Sequence, residues 1–166
     1  TGGFTPFSFD ITPALQKGNN TLTVKVWDPT DKGYQPRGKQ VNNPGGIWYT
    51  PVSGIWQTVW LEPVAEKYIQ SIKTTPDIDR NMLTLSVAAK NLSDADRIEV
   101  VVSEDGKQVA KGVSINGLPV EIFMPKDVKL WSPDSPFLYD MQVSLISNGK
   151  AVDKVKRYTA MRKYSP

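Results

Sequence analysis

Apolar and polar residues alternate with a period of two along most of the 166-residue chain. Successive side chains of a β-strand point to opposite faces of its sheet, so such segments are predicted to be strands with one buried and one solvated face. The clearest series are Phe7-Phe9-Ile11, Leu22-Val24-Val26, Leu83-Leu85-Val87-Ala89, Ile98-Val100-Val102 and Tyr139-Met141-Val143-Leu145. The chain is therefore predicted to be all-β nearly throughout.

Turn residues divide these series. Asp-Gly at 105–106 and Asn-Gly at 116–117 and 148–149 each separate two strand-like segments. Such pairs accept the positive φ angles of tight hairpins, and the hairpins at 105–106 and 148–149 are the clearest predictions. Residues 12–20 combine Thr, an early Pro and a later Gly, which predicts about one turn of helix there.

The organisation of the chain changes near Pro63–Glu66. After this point strands recur at the spacing of an immunoglobulin-like β-sandwich, and residues 65–160 are close to the roughly 100 residues of such a domain. Residues 1–64 contain too few strands for two closed sheets and include a long Gly- and Pro-rich loop. This first part is predicted to be a portion of a larger domain.

Composition removes several classes of function. The chain has no Cys and no His, which excludes Ser-His-Asp and Cys-His nucleophiles and thiolate zinc sites. A net charge of +3 without a concentrated basic face argues against nucleic-acid binding. Neither a membrane-spanning apolar segment nor ligand-like clusters of acidic residues are present, so we expect no membrane insertion, no metal and no cofactor.

Five motifs resemble the front part of family 2 glycoside hydrolases, the group of β-galactosidases, β-mannosidases and β-glucuronidases. In chain order they are "GGFTPFSFDIT", "PRGKQ", "SGIWQTVWLEPV", "LWSPDSPFLYDMQV" and "RYTAMRK". The resemblance covers essentially the whole chain. "SGIWQTVWLE" and "WSPDSPFLY" are its most specific motifs.

The resemblance implies a domain plan. Residues 1–64 would be the C-terminal half of a jelly-roll sugar-binding domain, and 65–160 an immunoglobulin-like sandwich. Residues 161–166 would begin the linker to a catalytic TIM barrel, which is absent from the chain. Ala160 stands where the family's "GMR" motif usually has Gly. A periplasmic or secreted bacterial protein is the family-level expectation for localisation.

Catalysis by this chain alone is not expected. The resemblance implies a retaining mechanism, which needs two carboxyl groups about 5–5.5 Å apart. The family's acid/base Glu follows an Asn, but the chain contains no Asn-Glu dipeptide. Its close acidic pairs, Glu104/Asp105 and Asp94/Asp96, lie in or beside predicted turns, where solvated residues are the ordinary interpretation. We predict an accessory fragment that braces the barrel.

Five residues of the long loop are candidate substrate contacts. Aromatic faces stack on sugars, and cations and amides hydrogen-bond their hydroxyls. The candidates are Arg37, Lys39, Gln40, Trp48 and Tyr49. Their alternative role is to pack against the barrel and cover a domain interface.

The remaining aromatic residues are predicted to have structural roles. Trp56 and Trp60 lie four apart in a predicted strand, which favours packing in the core or between domains. Core positions are also predicted for Phe4, Phe7 and Phe9. Trp131 is interpreted as structural, and Arg162 as a solvated residue at the linker.

Two alternatives to the accessory fragment stay open. The chain could be a free-standing carbohydrate-binding or adhesion module, or an enzyme that uses carboxylates alone, in which case Glu104 or Asp105 would carry the reaction. Unpaired strand edges in residues 1–64 also predict self-association of the fragment.

Overall fold

The chain forms two compact units, Thr1–Leu61 and Glu62–Pro166. We describe them from a computed structural model, which covers residues 2–115 and 117–164. Across those residues all seven strands belong to the second unit, which we call the sandwich unit. The same residues include no helix that is long and apolar enough to cross a membrane.

The strands of the sandwich unit follow the predicted alternation closely. In chain order they are β1 (Ile69–Asp77), β2 (Met82–Ala89), β3 (Arg97–Glu104), β4 (Lys107–Ile115), β5 (Val120–Phe123), β6 (Tyr139–Ser147) and β7 (Lys150–Thr159). They form a three-stranded sheet in the order β1-β2-β5 and a four-stranded sheet in the order β4-β3-β6-β7. Every strand pairing is antiparallel. The prediction of an all-β fold with a β-sandwich is confirmed.

The core lies between the two sheets and contains the apolar positions of the predicted series. The three-stranded sheet contributes Leu83, Leu85, Val87, Val120 and Ile122. The four-stranded sheet contributes Ile98, Val100, Val102, Tyr139, Met141, Val143 and Leu145. These side chains are buried because period-two alternation places them all on the inner faces of their strands.

The two clearest hairpin predictions are confirmed. Asp105-Gly106 joins β3 to β4 with φ angles of 49° and 77°, and Asn148-Gly149 joins β6 to β7 with φ angles of 50° and 75°. Positive φ at both central residues matches the right-handed twist of the paired strands. Asn116 lies outside the described residues. The strands on either side of it, β4 and β5, belong to different sheets, so this segment connects the sheets and is not a hairpin.

The first unit, Thr1–Leu61, contains a single turn of 3₁₀-helix at Thr12–Ala14, near the predicted turn of helix. The strands predicted at 7–11, 22–26 and 55–62 are not formed. Within the described residues of this unit, the one backbone bridge joins Gln40 to Tyr49. Alternation specifies which face of a strand is apolar, but a strand also needs a neighbour for its backbone groups, and these segments have none here.

Aromatic side chains of the first unit are exposed. Core positions for the three Phe residues were wrong, since Phe4, Phe7 and Phe9 are 64%, 62% and 69% exposed. Phe7 and Phe9 contact each other, with ring centroids 5.6 Å apart. Trp56 and Trp60, at 65% and 69% exposure, are not core residues within this chain either. The apolar surface that the pattern predicted exists, but the described chain supplies nothing to cover it.

Candidate functional site

The candidate site is a loop that closes on itself between Asp28 and Ser53, which we call the closed loop (residues 28–53). At its neck, Ser53 Oγ donates a hydrogen bond to Asp28 Oδ2 over 2.8 Å. The backbone N–H of Thr30 donates to the other carboxylate oxygen of Asp28, also over 2.8 Å. The Ser53 hydroxyl and, next, the Thr30 N–H lower the pKa of Asp28, because both bonds favour the ionised carboxylate. A charged acceptor therefore holds the two ends together.

A second carboxylate ties the middle of the closed loop. The backbone N–H of Asn42 donates to Asp31 Oδ2 over 3.0 Å, and the Asn42 side-chain amide donates to Asp31 Oδ1. The Asn42 backbone N–H is the largest cause of a lowered pKa at Asp31, and the positive charge of Arg37 acts in the same direction. Gln35 adds a bond from its Nε2 to the carbonyl of Thr30 at 2.9 Å.

Gln40 and Tyr49, two of the predicted site residues, are neighbours in the closed loop. Their segments form the backbone bridge, in which Tyr49 N donates to the Lys39 carbonyl over 2.8 Å and Val41 N donates to the Tyr49 carbonyl over 3.2 Å. Gln40 Oε1 accepts a bond from the Val52 N–H at 2.7 Å. This side-chain oxygen of Gln40 thus shapes the loop, and a sugar contact by the residue stays a prediction.

Arg37 and Trp48, a second predicted pair, are also brought together. The guanidinium carbon of Arg37 lies 5.8 Å from the centre of the Trp48 ring. Arg37 Nη1 also donates a long bond, 3.4 Å, to the carbonyl of Asp31. Trp48 is 41% exposed and Tyr49 62% exposed. Lys39 is exposed beside them. These four predicted site residues therefore present two aromatic rings and two cations to solvent.

The residues that hold the loop were not identified from the sequence. Asp28, Asp31, Asn42 and Ser53 act through hydrogen bonds between segments up to 25 positions apart. The available signal was local, because Asp, Asn and Ser are typical turn residues whose side chains bond nearby backbone. That signal predicts a turn at each position but not which turns meet.

Trp131 and Arg162 form a contact in the sandwich unit. The backbone N–H of Trp131 donates to the Met161 carbonyl over 2.9 Å, and Met161 itself is fully buried. The guanidinium carbon of Arg162 lies 5.1 Å from the centre of the Trp131 ring. Lys163 forms an ion pair with Asp79. Arg162 is exposed but held against Trp131, so the prediction of a simply solvated residue missed this contact.

Two of the four residues in the predicted acidic pairs form ion pairs, and one of them, Asp96, is buried and not solvated as expected. Glu104 forms an ion pair with Lys129. Asp96 is buried and forms an ion pair with Lys67 at 2.6 Å. Lys67, then Ser147 and the Ser93 N–H, hold the pKa of Asp96 well below its usual range. A general acid needs a raised pKa, so this shift has the wrong direction for that role. Among the described residues no cluster of acidic side chains could hold a metal ion.

A family model described as "Glycosyl hydrolases family 2" matches residues 67–162, more than half of the chain. The chain belongs to glycosyl hydrolase family 2. The match includes all seven strands of the sandwich unit and ends at Arg162.

Curated relatives extend the similarity into the first unit. A β-galactosidase of Thermoanaerobacter pseudethanolicus is 28% identical over 97% of this chain and 22% of its own length. A putative β-glucuronidase of Formosa agariphila is 27% identical over 97% of this chain and 20% of its own length. The β-glucuronidase of Rattus norvegicus is 30% identical over 87% of this chain and 25% of its own length. The chain spans about a fifth to a quarter of these family 2 relatives.

Solved structures agree on the fold. A β-glycosidase of Bacteroides vulgatus shares 22% identity and superposes with a TM-score of 0.55 over 71% of this chain and 16% of its own. An FMN-binding β-glucuronidase of Faecalibacterium prausnitzii L2-6, also at 22% identity, gives a TM-score of 0.51 over 61% of this chain and 18% of its own. The chain corresponds to a non-catalytic N-terminal portion of family 2 enzymes.

Proposed function

We propose that the chain is an accessory part of a family 2 glycoside hydrolase: it braces the catalytic barrel and presents the closed loop to the substrate. The observation that carries this proposal is the pairing of Arg37 with Trp48 in a loop whose ends are tied by Asp28 and Ser53. A ring and a cation held in place before the sugar arrives lose less conformational entropy on binding than mobile side chains do.

The immunoglobulin-like assignment of the sandwich unit belongs to this proposal. Its support is the division of seven strands into sheets of three and four, and a buried tyrosine at the start of β6. The Tyr139 hydroxyl accepts a hydrogen bond at 2.7 Å from the backbone N–H of Lys129, which lies ten residues upstream. A tyrosine that bonds back to upstream backbone at this place in the fold is typical of immunoglobulin-like sandwiches.

Exposed aromatic residues support the bracing role. Trp27, Trp56 and Trp60 are 81%, 65% and 69% exposed. Contiguous exposed apolar surface marks interaction sites in soluble proteins. We propose that the rest of the parent enzyme covers these exposed aromatic residues, and that the isolated chain self-associates through them. Residues 1–64 would be the C-terminal half of the jelly-roll domain of that enzyme. The catalytic barrel of a retaining, β-galactosidase-like enzyme would be the partner, in a periplasmic or secreted location.

Glycan binding tests the role of the closed loop. Calorimetry against galactosides, mannosides and glucuronides would compare the chain with Trp48→Ala and Arg37→Ala. Trp60→Ala and Lys32→Ala are matched controls, since each removes an exposed side chain of the same type from outside the Arg37–Trp48 pair. We expect saturable binding that the first two variants lose and the controls retain. Equal loss in all four would refute a sugar contact at this pair.

A free-standing carbohydrate-binding module is the second candidate, and the exposure of Trp48 and Tyr49 favours it. The two functions differ in what the chain does alone, because a free-standing module has no need of a catalytic partner. Tight binding by a chain that stays monomeric at high concentration in light scattering would favour the module. Weak binding by a chain that self-associates would favour the accessory part. Neither function includes turnover, so hydrolysis of aryl glycosides that is lost in Glu104→Gln would overturn both.

A further inference from the structure

Strand β1 is an outer strand of the three-stranded sheet, as is β5 on its other side, and β7 is an outer strand of the four-stranded sheet. The free edge of an outer strand carries unpaired N–H and C=O groups, which are a template for the addition of another strand. Natural sheets limit this with charged side chains, Pro residues and β-bulges at their edges. The edge of β1 has all three.

Two side chains of β7 reach the backbone of β1 and bond to it. Asp153 Oδ2 accepts a hydrogen bond from the Ile69 N–H at 2.7 Å. Arg157 Nη1 donates to the Ile72 carbonyl over 3.0 Å. Positions 153 and 157 are four apart in a strand, so both side chains leave β7 on the same face. One carboxylate and one guanidinium therefore occupy a donor and an acceptor of β1 that another strand would need.

The remainder of β1 is also unsuited to strand addition. Its register with β2 shifts between Ile69 and Ser71, which places a bulge at Gln70. Pro76, near the other end of β1, has no N–H to offer. A strand added at this edge would meet a bulge, two occupied backbone groups and a missing donor within nine residues.

We propose that Asp153 and Arg157 protect the edge of β1, so that a second copy of this chain cannot extend the three-stranded sheet at that edge. Hydrogen bonds to charged groups are stronger than the neutral backbone bonds that a competing strand would form, so the two side chains hold their places against it. Any self-association of the chain then occurs away from this edge.

Pyrene excimer fluorescence tests the protection directly in the full chain. The natural sequence has no Cys, so Lys73→Cys gives one labelling site, exposed and within β1. Excimer emission reports two labels close together, as when β1 of one copy pairs antiparallel with β1 of another about position 73. The label is placed in the natural chain, in Asp153→Ala/Arg157→Ala, and in the control Asp140→Ala/Lys154→Ala, which removes one acid and one base from exposed positions of the same sheet.

We expect a several-fold rise in the excimer-to-monomer ratio in Asp153→Ala/Arg157→Ala, increasing with protein concentration, and no rise in the control. Far-UV circular dichroism verifies that each variant keeps its strands. If the double variant loses them, Arg157→Ala alone is measured under the same criterion. A folded variant whose excimer ratio stays at the natural level would overturn the proposal. An equal rise in the control would do so too, because it would assign the effect to general association.

Discussion

Gly112 of β4 lies against β5, a strand of the other sheet. A Cβ atom at this position would lie 2.7 Å from Ile122 Cγ1, 2.8 Å from Val120 Cγ1 and 3.0 Å from the Glu121 carbonyl oxygen. Val120 and Ile122 are fully buried, and the third atom belongs to the backbone. None of the three can move aside without displacing others. We therefore expect Gly112→Ala to destabilise the sandwich unit.

The size of the effect follows from these distances. Carbon atoms in contact usually sit about 3.5–4.0 Å apart, so the added Cβ would be roughly 0.8 Å too close to Ile122. Overpacking of this kind costs about 1–3 kcal/mol in buried regions. In a domain of this size each kcal/mol lowers the melting temperature by roughly 4–8 °C. At a position without such a clash, Gly→Ala has the opposite effect and raises the stability of the fold by about 0.4–1 kcal/mol.

Urea unfolding followed by far-UV circular dichroism measures the change, because all the described strands belong to the sandwich unit. Gly45→Ala is the control, since a Cβ there meets nothing within 4 Å and the residue has no positive φ. We expect Gly45→Ala to leave the urea midpoint of the circular dichroism transition unchanged. In the double variant Gly112→Ala/Val120→Ala, the loss of stability should be smaller than the sum of the losses in the two single variants. The reason is that Val120→Ala removes the Cγ1 atom that would clash with the new Cβ. A Gly112→Ala transition within about 0.5 kcal/mol of the natural chain would refute the packing argument.

Three further predictions concern the sandwich unit. The pKa of Asp96 is lowered in the folded chain, so its ion pair with Lys67 adds stability above the unfolded pKa of about 3.9 and loses it as pH falls. Asp96→Asn should therefore destabilise clearly more at pH 7 than near pH 2, where part of the contribution remains because the folded pKa is held so low, and equal destabilisation at both values would contradict this. Tyr139→Phe should cost about 1–3 kcal/mol in urea unfolding, because it leaves the Lys129 N–H without its acceptor, whereas Tyr158→Phe, at an exposed ring, should be near neutral. Arg162→Ala should increase quenching of Trp131 fluorescence by acrylamide, measured with the other Trp residues replaced by Phe, while Lys126→Ala should not.

The sandwich unit could be predicted well because its sequence signals were local. Alternation in Leu83–Ala89 and Ile98–Val102 specified inner faces, and the inner faces meet as expected. Positive φ at Asp105 and Asn148 followed from residue type. The assignment of β4 and β5 to different sheets could not be predicted, because Asn-Gly at 116–117 resembles a hairpin turn whichever sheet the next strand joins.

Predictions for the first unit failed where they depended on neighbours. The Phe7-Phe9-Ile11 series has the pattern of a strand, yet the described chain provides no strand to pair with it. The candidate site was predicted in part. Arg37 and Trp48 were identified by chemical type, whereas Asp28 and Ser53, which close the loop, are 25 positions apart and carry no shared sequence signal.

The two sides of the sandwich, where an edge of one sheet faces an edge of the other, are closed by different means. Between β4 and β5, the absence of a side chain at Gly112 lets the sheets approach, which leaves no gap for a solvating side chain. Between β7 and β1, the gap is bridged by Asp153 and Arg157. The sandwich unit keeps some apolar side chains exposed, such as Phe123 and Ile115, but with both sides closed its sheets form little edge surface that needs a partner. The exposed Trp and Phe residues of the first unit form the surface that does, so we expect association of this chain to depend on Thr1–Leu61 and to be weakened by Trp60→Ala rather than by changes in the sandwich unit.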